Sequence, residues 1–350
     1  MSTEKPLRNS RATADWEFSL PAPSNRKLRG YKLSSQTNSR TVTVMVHGWL
    51  DNSCTWFDVF PHLDDDLGDV IALDLAGHGK SDHLPPDGHY IVMQYALDLA
   101  NLLSSLKGTY EEIRLVGHSL GAGVCILAER AEVCKLSSMV LIEGIGPMTS
   151  EDGMRGLISN LEAKPISKPR TYPTFNAACS KRASSNIGGP MDITHASTLC
   201  GRGVSMNPDG TWSFTHDRRL MGRSLMSMTE EQVQSAIRGV KTKTFLLIDR
   251  GGLWKDLFDL FGPFVCDRYR VKLFFLSFIF WVACKFRPAS YRLLQAYNTC
   301  ARFFTLPSSF TIGMSNLPQS EKKMRGHHPH LGKGKGEVTA GIIKRFWRDN

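Results

Sequence analysis

Residues 113–130 read IRLVGHSLGAGVCILAER and place Ser119 between Gly117 and Gly121, directly after an apolar run and directly before an Ala- and Leu-bearing one. A serine in that position occupies a sharp strand-to-helix turn that lifts its hydroxyl clear of the chain as a nucleophile. Such a turn closes only if the residues two before and two after it are small. Gly123 leaves further room beside them. The competing use of such a serine, capping a helix in a nucleotide-binding turn, would require a GxGxxG phosphate loop, which is not here. Attack on a carbonyl also needs donors aimed at the developing oxyanion. The N–H of Leu120 is the first expected donor. The turn in MVHGWLDN supplies the second, with the N–H of Trp49 expected because His47-Gly48 folds the chain back toward Ser119. His47 itself is read as a packed histidine holding that loop, not as a base.

The elements that must carry these groups follow from the apolar runs. Residues 41–46, 70–73, 113–116, 138–142 and 244–248 are short, continuous and apolar, and they end at His47-Gly48, Asp74, Gly117, Glu143 and Asp249. Continuous rather than alternating runs, separated by helical stretches, indicate a parallel sheet covered on both faces: an α/β fold. One such stretch, about 90–106, sets Ile91, Tyr95, Leu99, Leu102 and Leu106 on one face. Residues 16–20 and 28–33 flank PAPSNRK and read as an antiparallel hairpin against the sheet edge. From 147 to 239 the strand rhythm lapses, with helical pieces such as 153–161 between loops. The expected division is therefore an α/β core at 1–146, an inserted helical cap at 147–239, and a return to the core at 240–350 with an atypical stretch at 256–323.

HGWLDNSCTWF, ALDLAGHGKSDH and LVGHSLGAG, in that order and spacing, resemble the α/β-hydrolase superfamily, most closely the serine hydrolase-like group. The resemblance covers roughly residues 41–248 and a short piece near the C-terminus. It implies the α/β-hydrolase fold, a Ser-His-acid triad, a cap between the sixth and seventh core strands, and no metal or organic cofactor. Epoxide hydrolases and dehalogenases on this scaffold use Asp as nucleophile, and Ser119 argues against both.

The resemblance also implies where the remaining triad members lie. The stretch MRGHHPHLGKGKGEVTAGIIKRFW is similar to the family's late GxHHxHL element, followed by an amphipathic helix bearing Val338, Ile342, Ile343 and Phe346. Aligning on the shared His and Leu makes His327 the base, with His328 as alternate. A metal site at His327, His328 and His330 is the competing reading, weakened by spacing that matches no familiar metal motif. For the acid, Glu143 in LIEGIGPM stands first and Asp249 in FLLIDRGGLWKD is the alternate, because Asp249 lies where relatives carry a glycine. Asp74 and Asp51 are read as loop-shaping carboxylates. Arg218 and Arg219, in THDRRLM, are candidates for the pocket mouth, with a solvated surface or an ion pair within the cap as the plainer reading.

The expected chemistry is hydrolysis of an ester, thioester or amide, esterase-like, through an acyl-enzyme on Ser119 with a small-molecule acyl substrate. The alternative is a hydrolase-fold protein that has lost catalysis and binds a ligand or partner. A formal net charge of +10 could suit nucleic acid or acidic membrane, but the chain carries no RNA-recognition, zinc-finger or basic-zipper pattern, and a solvated basic surface is the plainer reading. The eight cysteines form no CxxC pair, as expected of reduced thiols inside a cell. The first residues lack a secretory apolar core and the last ones a peroxisomal or reticulum tail, so a cytoplasmic location is expected, with peroxisomal or membrane-associated ones as alternatives. The apolar stretch 271–286 carries Lys272 and Lys285 near its ends. It reads as a buried helix, an interfacial membrane contact, or sequence foreign to the fold. The family pattern has a helix and one further strand between 254 and 324, and His327 can reach Ser119 only if that strand forms.

Overall fold

The computed structural model describes residues 13–37, 39–63, 68–144, 146–150, 155–161, 169–185, 191–248, 310–314 and 335–348. Strands β1 (Thr13–Ser19) and β2 (Lys27–Leu33) form the expected hairpin, in register from Thr13 opposite Leu33 to Ser19 opposite Lys27. The apolar runs become β3 (Thr41–Val46), β4 (Asp69–Leu73), β5 (Glu112–His118), β6 (Ser138–Ile142) and β9 (Thr244–Ile248). With β10 (Phe310–Met314) they make an eight-stranded sheet of order β1-β2-β4-β3-β5-β6-β9-β10. The hairpin joins antiparallel, and every pairing from β4 to β10 is parallel. The further strand required by a late histidine is thus present, pairing Phe310 to Thr244 and Met314 to Ile248.

Both faces of the sheet are buried, which is why the strands read as unbroken apolar runs. Val44, Leu115, Leu141 and Leu246 enter one core with helices α1 (Val92–Leu106) and α2 (Leu120–Glu129). Their strand neighbours Met45, Val116, Val140 and Phe245 point the other way, into a second core closed by Ile343, Phe346 and Trp347 of the C-terminal helix Lys335–Arg348. Helix α1 starts at Val92, later than its apolar pattern suggested, because Ile91 is extended and stands as the N-cap; Tyr95, Leu99 and Leu102 are buried as expected.

Between β6 and β9 lie helices α3 (Arg155–Leu161), α4 (Phe175–Ala183) and α5 (Ile193–Gly203), a hairpin of β7 (Val204–Met206) and β8 (Trp212–Phe214), and α6 (Glu230–Arg238). The hairpin was not foreseen: its strands are three residues long, too short to show a period of two. Thr229 and Gln232 cap α6 reciprocally, and its Val233 and Ile237 are fully buried on the α2 side of the sheet. The C-terminal helix of the sequence is α7 (Lys335–Arg348). Among the described residues, no helix is long and apolar enough to cross a membrane. The stretch 271–286 lies outside the described residues, as does most of 256–323.

Candidate active site

The strand order reverses at β3, which has β4 on one side and β5 on the other. In open α/β sheets the crevice at the carboxyl ends of strands flanking such a reversal is where ligands bind. Here those ends carry His47-Gly48 after β3 and Ser119 after β5, with Val46 paired to Gly117. The topology alone brings the expected nucleophile and the expected oxyanion turn to one place.

Ser119 has φ 51° and ψ −112°, a combination costing about 1–3 kcal/mol in a residue with a Cβ. The strand before it and the helix after it hold it there. Val124 and Ile126 of α2 are fully buried, each worth ~1.5–3 kcal/mol, which together outweighs the strain. The turn is also locked by backbone: the Ser119 N–H donates to the Ile142 carbonyl at 2.9 Å, and the Ser119 carbonyl accepts from Ala122 N–H at 3.0 Å. A Cβ on Gly121 would stand 2.3 Å from the Val46 oxygen, and one on Gly117 2.6 Å from the Gly121 oxygen. Only glycine permits these approaches. Ser119 remains partly accessible to solvent.

Leu120 is the first helical residue, so its N–H has no carbonyl within the helix to bond and stands at the positive end of α2. On the other side, a Cβ on Gly48 would come within 3.4 Å of the Ser119 Cβ, so the turn containing Trp49 abuts the nucleophile. Leu50 holds that turn with φ 61°, and Asp51 N–H bonds the Gly48 carbonyl at 3.2 Å. His47 is fully buried. Its Nε2 accepts from Leu75 N–H at 3.0 Å, so its Nδ1 donates to the Gly48 carbonyl at 2.7 Å. Burial holds the imidazole below its ordinary range against the opposing pull of the Asp74 carboxylate. With both nitrogens committed, His47 braces the loop and is not placed to take a proton from Ser119.

Glu143 follows β6 with φ 51° and is 1% exposed; its N–H bonds the Leu247 carbonyl at 2.9 Å. The next residue, Gly144, packs so closely that its Cβ would lie 2.9 Å from the Ser119 carbonyl oxygen. The Glu143 backbone therefore borders the Ser119 turn directly. Asp249 follows β9, the strand beside β6, and lies outside the described residues together with His327, His328 and His330. Among the described residues no group of side chains is arranged to hold a metal ion.

Asp74 and Asp51 have definite structural work. Asp74, fully buried, accepts from Ser53 N–H at 2.7 Å, from Lys80 N–H at 3.0 Å and from Arg202 Nε at 2.6 Å. Asp51 accepts from Arg182 Nη2 at 2.8 Å. Arg182 and Arg202 sit on α4 and α5, so both carboxylates fasten the inserted segment to the core loops. Neither arginine was singled out in the sequence. Their partners are 131 and 128 residues away, and no local spacing could have shown it.

Arg218 and Arg219 separate. Arg219 pairs with Asp217 at 2.6 Å and donates to the carbonyls of Leu84, Pro85 and Gly88, an ion pair that pins the segment to the loop before α1. Burial opposes charge on Asp217, but the Arg219 guanidinium, together with the Tyr90 hydroxyl, draws its carboxyl down to about 2. Arg218 instead lines a half-open cavity of about 260 Å³ with Leu50, Arg170, Tyr172, Arg182 and Phe214. The cavity starts one residue beyond Trp49. The Trp49 indole donates to the Leu220 carbonyl at 3.1 Å, and the following residue, Met221, is also in the wall.

The comparisons agree with this fold. Residues 42–161 match the family described as α/β hydrolase fold. A serine hydrolase-like protein of Danio rerio is 30% identical over 39% of this chain and 40% of its own length. The chain thus spans about two fifths of that relative in the match. A hypothetical protein of Pseudomonas aeruginosa superposes with TM-score 0.69 at 23% identity, covering 95% of this chain and 99% of the other. The thioesterase domain from a curacin biosynthetic pathway superposes with TM-score 0.67 at 16% identity over 95% and 99% of the two chains. The chain has the α/β-hydrolase fold, and over the stretch they share it is similar to a serine hydrolase-like protein.

Proposed function

We propose that the protein is a serine hydrolase that cleaves an ester or thioester through an acyl-enzyme on Ser119. The observation that carries this reading is the strained, partly accessible Ser119 turn, set between the free helical N–H of Leu120 and the Gly48-Trp49 loop. Evolution maintains strain of that kind where the geometry serves function. The Ser119 Oγ attacks the carbonyl carbon while its proton passes to His327. The oxyanion is met by the N–H groups of Leu120 and Trp49. The proton then returns to the departing alkoxide or thiolate, the C–O or C–S bond breaks, and water repeats the sequence to release the acid. Glu143 orients His327, with Asp249 as the alternative acid and His328 as the alternative base. The segment 147–239 acts as a cap over the substrate. The named activities of the relatives, hydrolase-like and thioesterase, lend support to this chemistry.

A fluorophosphonate probe tests the reading. It is expected to label wild-type protein at Ser119 and to leave Ser119→Ala unlabelled; folded wild-type protein that takes no label would overturn it. Replacing His327, His328, Glu143 and Asp249 one at a time by the neutral isosteres Gln or Asn, and measuring hydrolysis of a p-nitrophenyl ester, assigns the base and the acid.

A further inference from the structure

We infer that the substrate carries an anionic group, a carboxylate or phosphate, remote from the scissile carbonyl, and that the cavity beyond Trp49 binds it; this rests on the Ser119 reading. The cavity wall contributes Arg170, Lys181, Arg182 and Arg218 and no carboxylate among its described residues. These four come from the loop before α4, from α4 itself and from the turn after β8, so the cations converge from separate parts of the inserted segment. Arg182 is also paired with Asp51 at 2.8 Å. Arg170 lies over the Tyr172 ring at 5.6 Å, which fixes its guanidinium at the rim. A half-enclosed space walled by one sign of charge focuses the field and concentrates ligands of the opposite sign.

His216, also in the wall, senses that field. Burial first, then the neighbouring His83, Arg218 and Arg182, push its imidazole down to about 4, although the Asp217 carboxylate opposes them. It is a neutral hydrogen-bonding partner at pH 7. Ser119 is not among the lining residues. The cavity thus serves a part of the substrate away from the reacting carbon, where binding energy orients the carbonyl without taking part in bond breaking.

Two matched pairs of compounds test this. The 4-nitrophenyl monoester of glutarate against 4-nitrophenyl pentanoate places the charge on the acyl side, and butyryl-coenzyme A against S-butyryl-N-acetylcysteamine places it on the leaving group. One anionic member is expected to exceed its neutral partner about tenfold in kcat/KM, the worth of one or two charge-assisted contacts at a half-open site. The ratio should fall toward one in the Lys181→Gln/Arg218→Gln double variant and shrink as salt is raised to 0.5 M, with the melting temperature as a check on folding. Calorimetric binding of the same four compounds to Ser119→Ala reads the cavity apart from the chemistry. Turnover with no anionic preference in either pair, or a preference that survives in the double variant, overturns the inference and leaves the Ser119 reading standing. Selective anion binding by Ser119→Ala alongside wild-type protein that neither labels nor turns over supports the cavity and overturns the Ser119 reading.

Discussion

The turn at Ser119 and the segment between β6 and β9 are built from different materials. The turn is fixed by main chain: glycines that allow carbonyls to touch, a strained serine, and N–H groups left over at a helix start. The inserted segment is fixed by charged side chains reaching across more than a hundred residues, Arg202 to Asp74, Arg182 to Asp51 and Arg219 to the loop before α1. Main-chain packing admits few alternatives, whereas a side-chain anchor can be replaced singly. On the proposed function, chemistry is held by the first kind of construction and substrate choice by the second.

Separate changes in each region test that division. The largest effect is expected for Ser119→Ala, which should lower ester turnover by roughly 10⁴-fold or more while leaving the melting temperature no lower than wild type. A drop in stability together with activity would show that the turn and the chemistry are not separable. Next comes Arg202→Met. Arg202 and Asp74 are 1% and 0% exposed, and removing one member of a buried pair costs about 3–5 kcal/mol. Urea unfolding should show this loss. A loss below about 1 kcal/mol would mean that the two backbone N–H donors on Asp74 suffice.

A third test uses pH. His47 and His78 are fully buried and burial lowers both of their pKa values, His78 further because His47 lies beside it. Folded-state values below the unfolded one mean that the unfolded chain binds more protons as pH falls below ~6.5, so stability falls with it. Above pH 7 this contribution is complete and flat. His216 in the cavity wall, held down to about 4, follows the same sign, so replacing it should remove its own share of the fall between pH ~6.5 and 4. The smallest effect is expected from Ser119→Gly, which removes the strain at φ 51° and should raise stability by ~1 kcal/mol in thermal unfolding while abolishing turnover.

The same division decides what could be read in the sequence. Strands β3, β6 and β9 have the bounds of their apolar runs, and the hairpin lies at the expected edge, because burial on both faces writes itself as continuous hydrophobicity. Ser119 was legible because the small residues it demands are local. The cavity wall was legible only at Arg218, a candidate for the pocket mouth: Arg170 and Lys181 look like any solvated cations until the chain brings them together. Between these extremes stands Glu143, whose position after β6 was evident but whose closeness to the Ser119 turn came only from the parallel pairing of β5 and β6. Asp249 and the late histidines lie outside the described residues, and their roles await the substitutions given above.

Helix α6 has a consequence for how such a protein can diverge. A parallel crossover from β6 to β9 needs only a helix and two short links, and α6, capped at Thr229 and packed against the sheet, supplies that by itself. Everything from α3 to the turn at Met221 is therefore an appendix to a connection that is already complete. Its replacement by another loop would leave the sheet order intact, so this segment could be exchanged as a cassette while the turn at Ser119 is inherited unchanged.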